Sequence, residues 1–294
     1  NMINTELSHL RGIARDFSQT THDERNNLIT SIAESLLMHK TGILSANEED
    51  LKKMDKNDPL YDRVALSEKR IDGMAAACHE LTIIADPLSD IYIQKIETGS
   101  PMELISKPVP LGVVACIYEA RPNVTVDLAI LCIKSWNVCV LKWGSQASAT
   151  NAYLRSLIQD VFEKQWLPRD CLFGYSENRE DLTHLLSATE SIDVIIPRWG
   201  KSLIDFVRKN ALVPTIETGA GVVHIYVDYE VKPENFQKVC DIIINTKVSR
   251  PSVCNALDTL LLHKDMSSEL TRMILENLKK EGVEIKMLAG EKDA

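Results

Sequence analysis

The chain has 294 residues, of which 45% are hydrophobic and 26% are charged, and its formal net charge at pH 7 is -9. This composition is typical of a soluble globular protein with one large or two ordinary domains. The acidic balance argues against a nucleic-acid partner, because a phosphate backbone selects basic surfaces. The N-terminus is polar and no window of 18 residues is uniformly apolar, so the sequence predicts neither a signal peptide nor a membrane span.

Residues 5–90 are predicted to be helical. Leu28, Ile32 and Leu36 are spaced four apart and mark one amphipathic face. Residues 91–109 then alternate with period two around the turn Thr-Gly-Ser-Pro at 98–101, which predicts a hairpin. Its apolar edge favours pairing with a second copy of the chain, so we expect a homo-oligomer.

From residue 110 onward, short apolar strands alternate with amphipathic helices. The predicted strands are 112–118, 137–142, 193–197, 215–217, 222–228, 256–263 and 283–287. The predicted helices between and after them are 149–163, 201–210, 234–245 and 267–280. This alternation implies right-handed crossovers and a parallel sheet with ligands at the carboxyl ends of the strands, which is an α/β fold of nucleotide-binding type.

The seven cysteines are an odd number, and no two have CxxC spacing. Most lie in apolar runs, which predicts reduced thiols, a cytoplasmic location and no metal site. Cys254 differs, because it follows a basic, proline-containing turn and precedes the apolar run 257–263. The nearby cations of Lys247 and Arg250 would favour the thiolate over the thiol, whose unperturbed pKa is about 8.5. Cys254 is therefore either a nucleophile or one more small hydrophobic residue.

Several segments together resemble the gamma-glutamyl phosphate reductases, a branch of the aldehyde dehydrogenase superfamily. The matching segments are 110–127 (PLGVVACIYEARPNVTVD), 193–198 (DVIIPR), 216–219 (IETG), 224–228 (HIYVD) and 250–255 (RPSVCN). The runs YEARPNVT and RPSVCN are the most specific of these. The resemblance implies an aldehyde dehydrogenase-like fold, in which a Rossmann-type parallel sheet carries helices on both faces and a second α/β domain follows.

The resemblance also implies a domain organisation and an activity. Residues 1–228 would form a cofactor-binding domain with a projecting oligomerisation hairpin at 91–109. Residues 229–294 would begin a catalytic domain that is incomplete at its C-terminus, because chains of the family continue past the position of Ala294. The implied reaction is the NADPH-dependent reduction of L-glutamyl 5-phosphate to L-glutamate 5-semialdehyde and phosphate, in proline biosynthesis, through a cysteine thioester.

Catalytic and substrate-binding residues are implied by the same resemblance. Cys254 matches the nucleophile, and Asn123 matches the side-chain amide that donates to the developing oxyanion. An alternative for Asn123 is that it caps the following helix. Arg121, Lys247 and Arg250 would bind the phosphate and carboxylate of the substrate, or would instead form surface ion pairs.

Cofactor-binding residues are implied in two further segments. Lys142, Ser145 and Gln146 match the segment that holds the adenosine ribose, and a neutral Gln146 beside Lys142 favours NADP over NAD. Glu217 matches the superfamily glutamate that activates water for thioester hydrolysis, which a reductase does not need. We therefore group Glu217 with Gly219 among the residues around the cofactor, with a purely structural carboxylate as the alternative.

Three tryptophans depart from the resembled pattern. Trp136, Trp143 and Trp199 stand where members of that family have glycine, a residue that lets backbone or ligand approach closely. Trp143 and Trp199 would fill the adenosine or pyrophosphate channel, stack on the adenine, or cover surface. Two alternatives to the reductase follow: an inactive or truncated relative that retains only self-association, and an aldehyde dehydrogenase-like oxidoreductase acting on another acyl substrate.

Overall fold

The computed structural model describes residues 7–58, 60–89, 93–96, 99, 102, 104–119, 121–175, 179–198, 200–217, 221–251 and 253–287. The chain divides into two compact units, residues 1–218 and 219–294. This boundary precedes the predicted one at 228, because the strand predicted at 222–228 pairs within the second unit. The roles of the two units in cofactor binding and catalysis stay predictions.

Helices form the N-terminal part of the first unit, as predicted. They are α1 (Leu10–Phe17), α2 (His22–Met38), α3 (Lys40–Leu51), α4 (Tyr61–Val64) and α5 (Glu68–Ile83). Helix α2 begins with a capping box, in which Thr21 and Glu24 each accept a hydrogen bond from the other's backbone N–H. Leu28, Ile32 and Leu36 are at most 1% exposed, so the predicted amphipathic face is confirmed.

A short antiparallel hairpin follows the helices. Strand β1 (Gln94–Ile96) pairs with β2 (Leu104–Ser106), and every residue of both strands is exposed. The predicted hairpin is confirmed over these residues. Positions 91, 92, 97, 98, 100, 101 and 103 of the predicted segment lie outside the described residues.

The first unit is built around a parallel sheet with crossover helices. Its elements are β3 (Val113–Tyr118), α6 (Pro122–Lys134), β4 (Val138–Lys142), α7 (Ser148–Lys164), β5 (Leu172–Gly174), α8 (Arg179–Leu186), β6 (Val194–Arg198) and α9 (Lys201–Asn210). The strand order is β5-β4-β3-β6, and all neighbours are parallel. The predicted parallel α/β sheet is confirmed, although β5 and α8 were not predicted. From β3 the chain adds β4 and then β5 on one side of the sheet, and it then crosses over to add β6 on the other side. The boundary between β3 and β6 is therefore the switch point, where doubly wound sheets bind ligands.

Alternate residues of each strand face opposite sides of this sheet. On one side, Val114 and Cys116 pack in a core with residues of α2, α5, α6 and α7. On the other side, Val113 and Ala115 pack with residues of α1, α8 and α9. Both faces are therefore covered, as a parallel sheet requires.

One predicted strand of this unit is reduced to a single pairing. At 215–217, only Thr215 forms a bridge, with Ile195 of β6. The prediction of a strand here was wrong, because the next bond of a parallel ladder toward residue 217 would need an N–H from Pro197 of β6, which has none.

The second unit contains β7 (His224–Val227), α10 (Phe236–Val248), β8 (Thr259–Leu262) and α11 (Ser268–Lys280). Strands β7 and β8 are parallel neighbours, and β8 is only partly buried although it lies in the apolar run 257–263. The strand predicted at 283–287 is not formed. Val283 and Ile285 still pack on the core of the unit, because their side chains are apolar, but no described strand pairs with them.

A buried carboxylate joins α3 to the start of α7. Asp50 is 1% exposed and accepts hydrogen bonds from the backbone N–H of Ala149 at 3.0 Å and of Thr150 at 2.8 Å. The Thr150 hydroxyl donates to the same carboxylate at 2.7 Å. Such a carboxylate satisfies the unpaired N–H groups of a helix N-terminus and its partial positive charge.

Two tryptophans have the left-handed backbone conformation that favours glycine. The φ angle is 62° at Trp136 and 63° at Trp166. The guanidinium of the fully buried Arg25 lies 4.1 Å from the centre of the Trp136 ring. Trp166, in contrast, is 95% exposed, so no packing of its side chain offsets the cost of its left-handed backbone conformation.

None of the helices in the described part of the chain combines the length and the apolar composition that crossing a bilayer requires.

Candidate active site

The carboxyl end of β3 leads to α6, whose first turn carries Asn123. Arg121 is the N-cap residue and is extended, at φ -135° and ψ 101°, because a residue before proline is kept out of the helical region. No side chain caps this helix. The Asn123 amide instead donates to Asp127 Oδ2 at 3.2 Å. The alternative that Asn123 caps its helix is therefore wrong, and its role at the oxyanion stays a prediction.

Asp127 and Arg198 extend this site at the switch point of the sheet. Burial raises the pKa of Asp127, while the hydrogen bond from Asn123 and the positive charge of Arg198 oppose the shift. Arg198 ends β6 opposite Tyr118 of β3. Sequence reasoning gave neither residue a role. The i, i+4 spacing of Asn123 and Asp127 on a predicted helix was the signal that could have found the carboxylate.

Lys142, Ser145 and Gln146 lie at the end of β4 and just after it. Lys142 is the last residue of that strand and is 6% exposed. Ser145 and Gln146 follow in one turn of 3-10 helix. Gln146 Oε1 is buried without a hydrogen-bond partner. It lies 2.7 Å from the position that a Cβ on Gly144 would take, so only glycine at 144 allows this side chain to lie there.

Trp143 belongs to the core of the first unit. It is 4% exposed, and the Arg155 guanidinium lies 5.7 Å from the centre of its ring. Of the three places predicted for Trp143, a cover over the surface is therefore wrong. Trp199 lies outside the described residues.

Glu217 is held by neighbours in its own unit. The Thr215 hydroxyl donates to Glu217 Oε1 at 3.2 Å, and Arg208 Nε lies 4.0 Å from Glu217 Oε2. These contacts are those of a structural carboxylate, which was the alternative kept open for Glu217. Gly219 lies outside the described residues.

Cys254 lies in the second unit, on the segment that joins α10 to β8. Turn hydrogen bonds flank it, from Val253 N–H to the Arg250 carbonyl at 3.2 Å and from Ala256 N–H to the Val253 carbonyl at 3.1 Å. Leu257 N–H donates to the Thr246 carbonyl of α10 at 3.1 Å. The segment is therefore fixed on both sides of the cysteine. Sequence reasoning expected Cys254 at the entrance of a strand, and β8 begins five residues later, at Thr259.

Gly221 lies directly against the backbone of Cys254. A Cβ at Gly221 would be 2.4 Å from the Cys254 carbonyl oxygen, a distance that carbon and oxygen cannot adopt without movement. Glycine at 221 is therefore necessary for the position of the cysteine. Sequence reasoning gave Gly221 no role and so missed this steric contact.

The two cations near Cys254 have different surroundings. Lys247 Nζ donates to the Leu257 carbonyl at 2.9 Å and so helps to hold the segment that follows Cys254. Arg250 is exposed in the turn before it. Asn123 and Cys254, the two predicted catalytic residues, belong to different units.

Exposure distinguishes Cys254 from the other six cysteines, all of which are described. All seven are free, the other six are buried, and Cys254 is exposed. Burial raises the pKa of both Cys78 and Cys171 to about 12, so these thiols stay protonated and inert.

No family model matches the chain. Gamma-glutamyl phosphate reductase from Chlorobium luteolum is 40% identical over 268 residues, which is 91% of this chain and 63% of the relative. Gamma-glutamyl phosphate reductase from Bacteroides thetaiotaomicron is 39% identical over 268 residues, which is again 91% of this chain and 63% of the relative. The crystal structure of gamma-glutamyl phosphate reductase from Thermotoga maritima matches with a TM-score of 0.84 at 34% identity, over 95% of this chain and 68% of that one.

The chain belongs to the gamma-glutamyl phosphate reductase family. The predicted resemblance is thereby confirmed. The predicted aldehyde dehydrogenase-like fold is confirmed as well, since propionaldehyde dehydrogenase from Rhodopseudomonas palustris matches with a TM-score of 0.65 at 14% identity, over 94% of this chain and 57% of that one. The chain spans just under two thirds of the length of the curated relatives, at 63% for that of Chlorobium luteolum.

Proposed function

We propose that the chain catalyses the NADPH-dependent reduction of L-glutamyl 5-phosphate to L-glutamate 5-semialdehyde and phosphate, with Cys254 as the nucleophile. Membership of the family supports the reaction. The observation that carries the proposal is the exposure of Cys254 on a segment fixed at both ends, while every other cysteine is buried. An accessible thiol on a fixed backbone is what covalent catalysis requires.

The chain's own residues carry the acyl transfer in this proposal. The Cys254 thiolate attacks the acyl carbon, a carbon–sulfur bond forms, and the bond to the phosphate oxygen breaks, so phosphate leaves with its electron pair. The developing oxyanion accepts from the Asn123 amide, which retains a second N–H besides the one given to Asp127. Lys142, Ser145 and Gln146 would hold the cofactor, whose nicotinamide would supply the hydride needed to convert the thioester to the aldehyde and free thiolate.

Three residues at the end of β4 and just after it fit the ribose end of such a cofactor. The orphaned Gln146 Oε1 can accept from a ribose hydroxyl, Ser145 is exposed beside it, and the buried Lys142 offers positive charge for a 2′-phosphate. A carboxylate at 146 would repel that phosphate, whereas an amide does not. We therefore propose NADP rather than NAD, and we propose that Glu217 and Gly219 also take part in cofactor binding.

Arg121, Lys247 and Arg250 are proposed to bind the substrate's anionic groups. Guanidinium matches phosphate and carboxylate in a bidentate manner, and Arg250 is exposed four residues before the nucleophile. Lys247 uses one N–H for the Leu257 carbonyl and has two left for an anion. Because all seven thiols are free, we place the enzyme in the reducing cytoplasm.

Self-association through the hairpin is part of the same proposal. Ile96, Leu104 and Ile105 are 46%, 50% and 50% exposed, which is costly for aliphatic side chains in water. We propose that β1 and β2 pair with a second copy of the chain. Ile105→Lys should lower the mass measured by light scattering from that of an oligomer to that of one chain, and an unchanged mass would contradict this assignment.

The reaction run backwards tests the function. NADP reduction is followed with glutamate semialdehyde and phosphate for the wild-type chain, for Cys254→Ala and for Cys240→Ala, which removes a buried thiol from the same unit. Turnover should disappear in Cys254→Ala alone. Equal loss in both variants, or turnover without Cys254, would contradict the assignment. NADPH binding without turnover would favour an inactive relative, and turnover only with another aldehyde would favour a different acyl substrate.

A further inference from the structure

Three cysteines of the first unit meet between the sheet and α6. Cys116 of β3 and Cys139 of β4 lie on neighbouring parallel strands and face the same side of the sheet, because Cys139 pairs with Val114 and Cys116 with Leu141. Cys132 lies on α6, which packs over that side. Their three sulfur atoms all lie within 4.8 Å of one another. We call Cys116, Cys132 and Cys139 the sulfur cluster.

The spacing of the sulfur cluster suits one shared ion. A metal–sulfur bond is about 2.3 Å long, so three sulfurs around one ion lie about 4 Å apart. Side-chain rotations that move each sulfur by less than about 1 Å would bring the three atoms from within 4.8 Å of one another to this separation. The three thiols are on two strands and a helix, elements that hold a ligand set more precisely than loops do.

Charge decides which ion this position can hold. Cys116, Cys132 and Cys139 are 0%, 7% and 1% exposed, and the core around them is aliphatic and aromatic. Among the described residues, no histidine or carboxylate joins the group. Three thiolates with a monovalent or divalent ion would leave a net negative charge in this core, which is expensive to bury. A trivalent ion leaves none. A tetrahedral zinc site would also need a fourth ligand.

We propose that the sulfur cluster is a binding site for a trivalent thiophilic ion, with arsenous acid as its simplest source. Each thiol exchanges its proton for a bond to arsenic. Three As–S bonds form, three As–O bonds and three S–H bonds break, and three water molecules leave. Arsenic stays trivalent, so no oxidant or reductant is needed, and the product is neutral and three-coordinate.

Binding at the cluster should stabilise the fold. The bound ion ties β3 and β4 to α6, and it favours the folded chain over an unfolded one in which the three thiols are far apart. Because the thiols are buried, the ion must enter through local opening, and binding should take longer than mixing.

The test is arsenite binding to the reduced full chain, measured as arsenic retained after gel filtration and as the melting temperature. The wild-type chain should retain one arsenic per chain, and its melting temperature should rise by about 5–10 °C at arsenite concentrations about a hundredfold above Kd. Cys116→Ala, Cys132→Ala and Cys139→Ala should each lose both effects. Using all three guards against one variant that fails to fold.

The chain supplies matched controls. Cys78→Ala and Cys171→Ala remove isolated buried thiols from the same core, and Cys254→Ala removes the exposed one; all three should retain arsenic as the wild type does. Equal retention by the cluster variants, or no retention by the wild type after prolonged incubation in mild urea, would overturn the proposal. Retention of zinc or monovalent copper but not of arsenic would overturn the charge argument.

Discussion

Replacing Gly221 by alanine should displace Cys254, the proposed nucleophile, without burying it. The added Cβ would lie 2.4 Å from the Cys254 carbonyl oxygen, and real contacts of this kind begin near 3.0 Å and are ordinary from 3.4 Å. The Cys254 backbone must therefore move by about 0.6–1 Å. A misplacement of about 1 Å at a reacting group costs about a hundredfold in rate, and overpacking lowers the free energy of unfolding by about 1–3 kcal/mol.

Three measurements on Gly221→Ala separate displacement from unfolding. Turnover in the semialdehyde assay should fall by about 10–100-fold. Alkylation by iodoacetamide should stay within a few-fold of wild type, because Cys254 remains the one exposed thiol among the seven. Chemical denaturation gives the stability change independently of activity.

Gly73→Ala is the matched control, because a Cβ there meets nothing within 4 Å. It should keep full turnover. If Gly221→Ala also kept full turnover and full stability, the contact with Cys254 would not fix the position of the thiol. Loss of the alkylation signal would mean that the variant rearranges in some other way.

Further predictions concern the two left-handed tryptophans and the carboxylate beside Asn123. Trp166→Gly should raise the free energy of unfolding by about 0.5–1 kcal/mol, because it relieves the backbone and loses no packing. Trp136→Gly should lower it by about 2 kcal/mol, because the stack with the buried Arg25 is lost; both are read by urea denaturation. Asp127→Ala should reduce turnover about tenfold, and should reduce it no further in an Asn123→Ala background, because it acts through that amide. Burial raises the pKa of Asp127, so wild type should be most stable relative to Asp127→Asn below pH ~3.9, with the advantage lost as pH rises through the higher folded-state pKa.

Each of these has an outcome that contradicts it. Equal stability changes at Trp136 and Trp166 would mean that the Arg25 contact contributes nothing. Additive losses in the Asp127 and Asn123 double variant would mean that the carboxylate acts on its own. A pH-independent stability difference for Asp127→Asn would contradict a raised pKa for the carboxyl group.

Periodicity was enough to predict most of the sheet and its helices. Strands β3 and β4 are continuous apolar runs of the kind that a sheet covered on both faces requires, and they were predicted to within one residue. Strand β5 was missed because it has only three residues. The strand at 283–287 was predicted from alternation that the structure uses for packing alone. The alternation of apolar residues indicates which face of a segment is buried, but it does not indicate whether another strand is available to pair with that segment.

The candidate site was only partly predictable from the sequence. The burial of most of the other six thiols follows from the apolar runs in which they lie, and Cys254 lies outside such a run. The contact of Gly221 with Cys254 joins residues 33 positions apart, and the sulfur cluster joins three separate elements. Such contacts depend on how the elements pack, which no local pattern contains. The Asn123–Asp127 bond is local, but spacing alone did not give it a function.

The buried Asp50 has a consequence for where a dinucleotide's phosphates can go. In many dinucleotide-binding folds, the N-terminus of a crossover helix, which carries a partial positive charge, binds the pyrophosphate. At the N-terminus of α7, this position is already occupied by the Asp50 carboxylate, which accepts from two backbone N–H groups at 2.8 Å and 3.0 Å. The negative charge of Asp50 would repel a diphosphate at this helix N-terminus. We therefore expect the proposed cofactor to place its diphosphate elsewhere. Asp50→Asn should remove the repulsion but not the obstruction, because the amide has the same size and its oxygen still accepts from these backbone N–H groups.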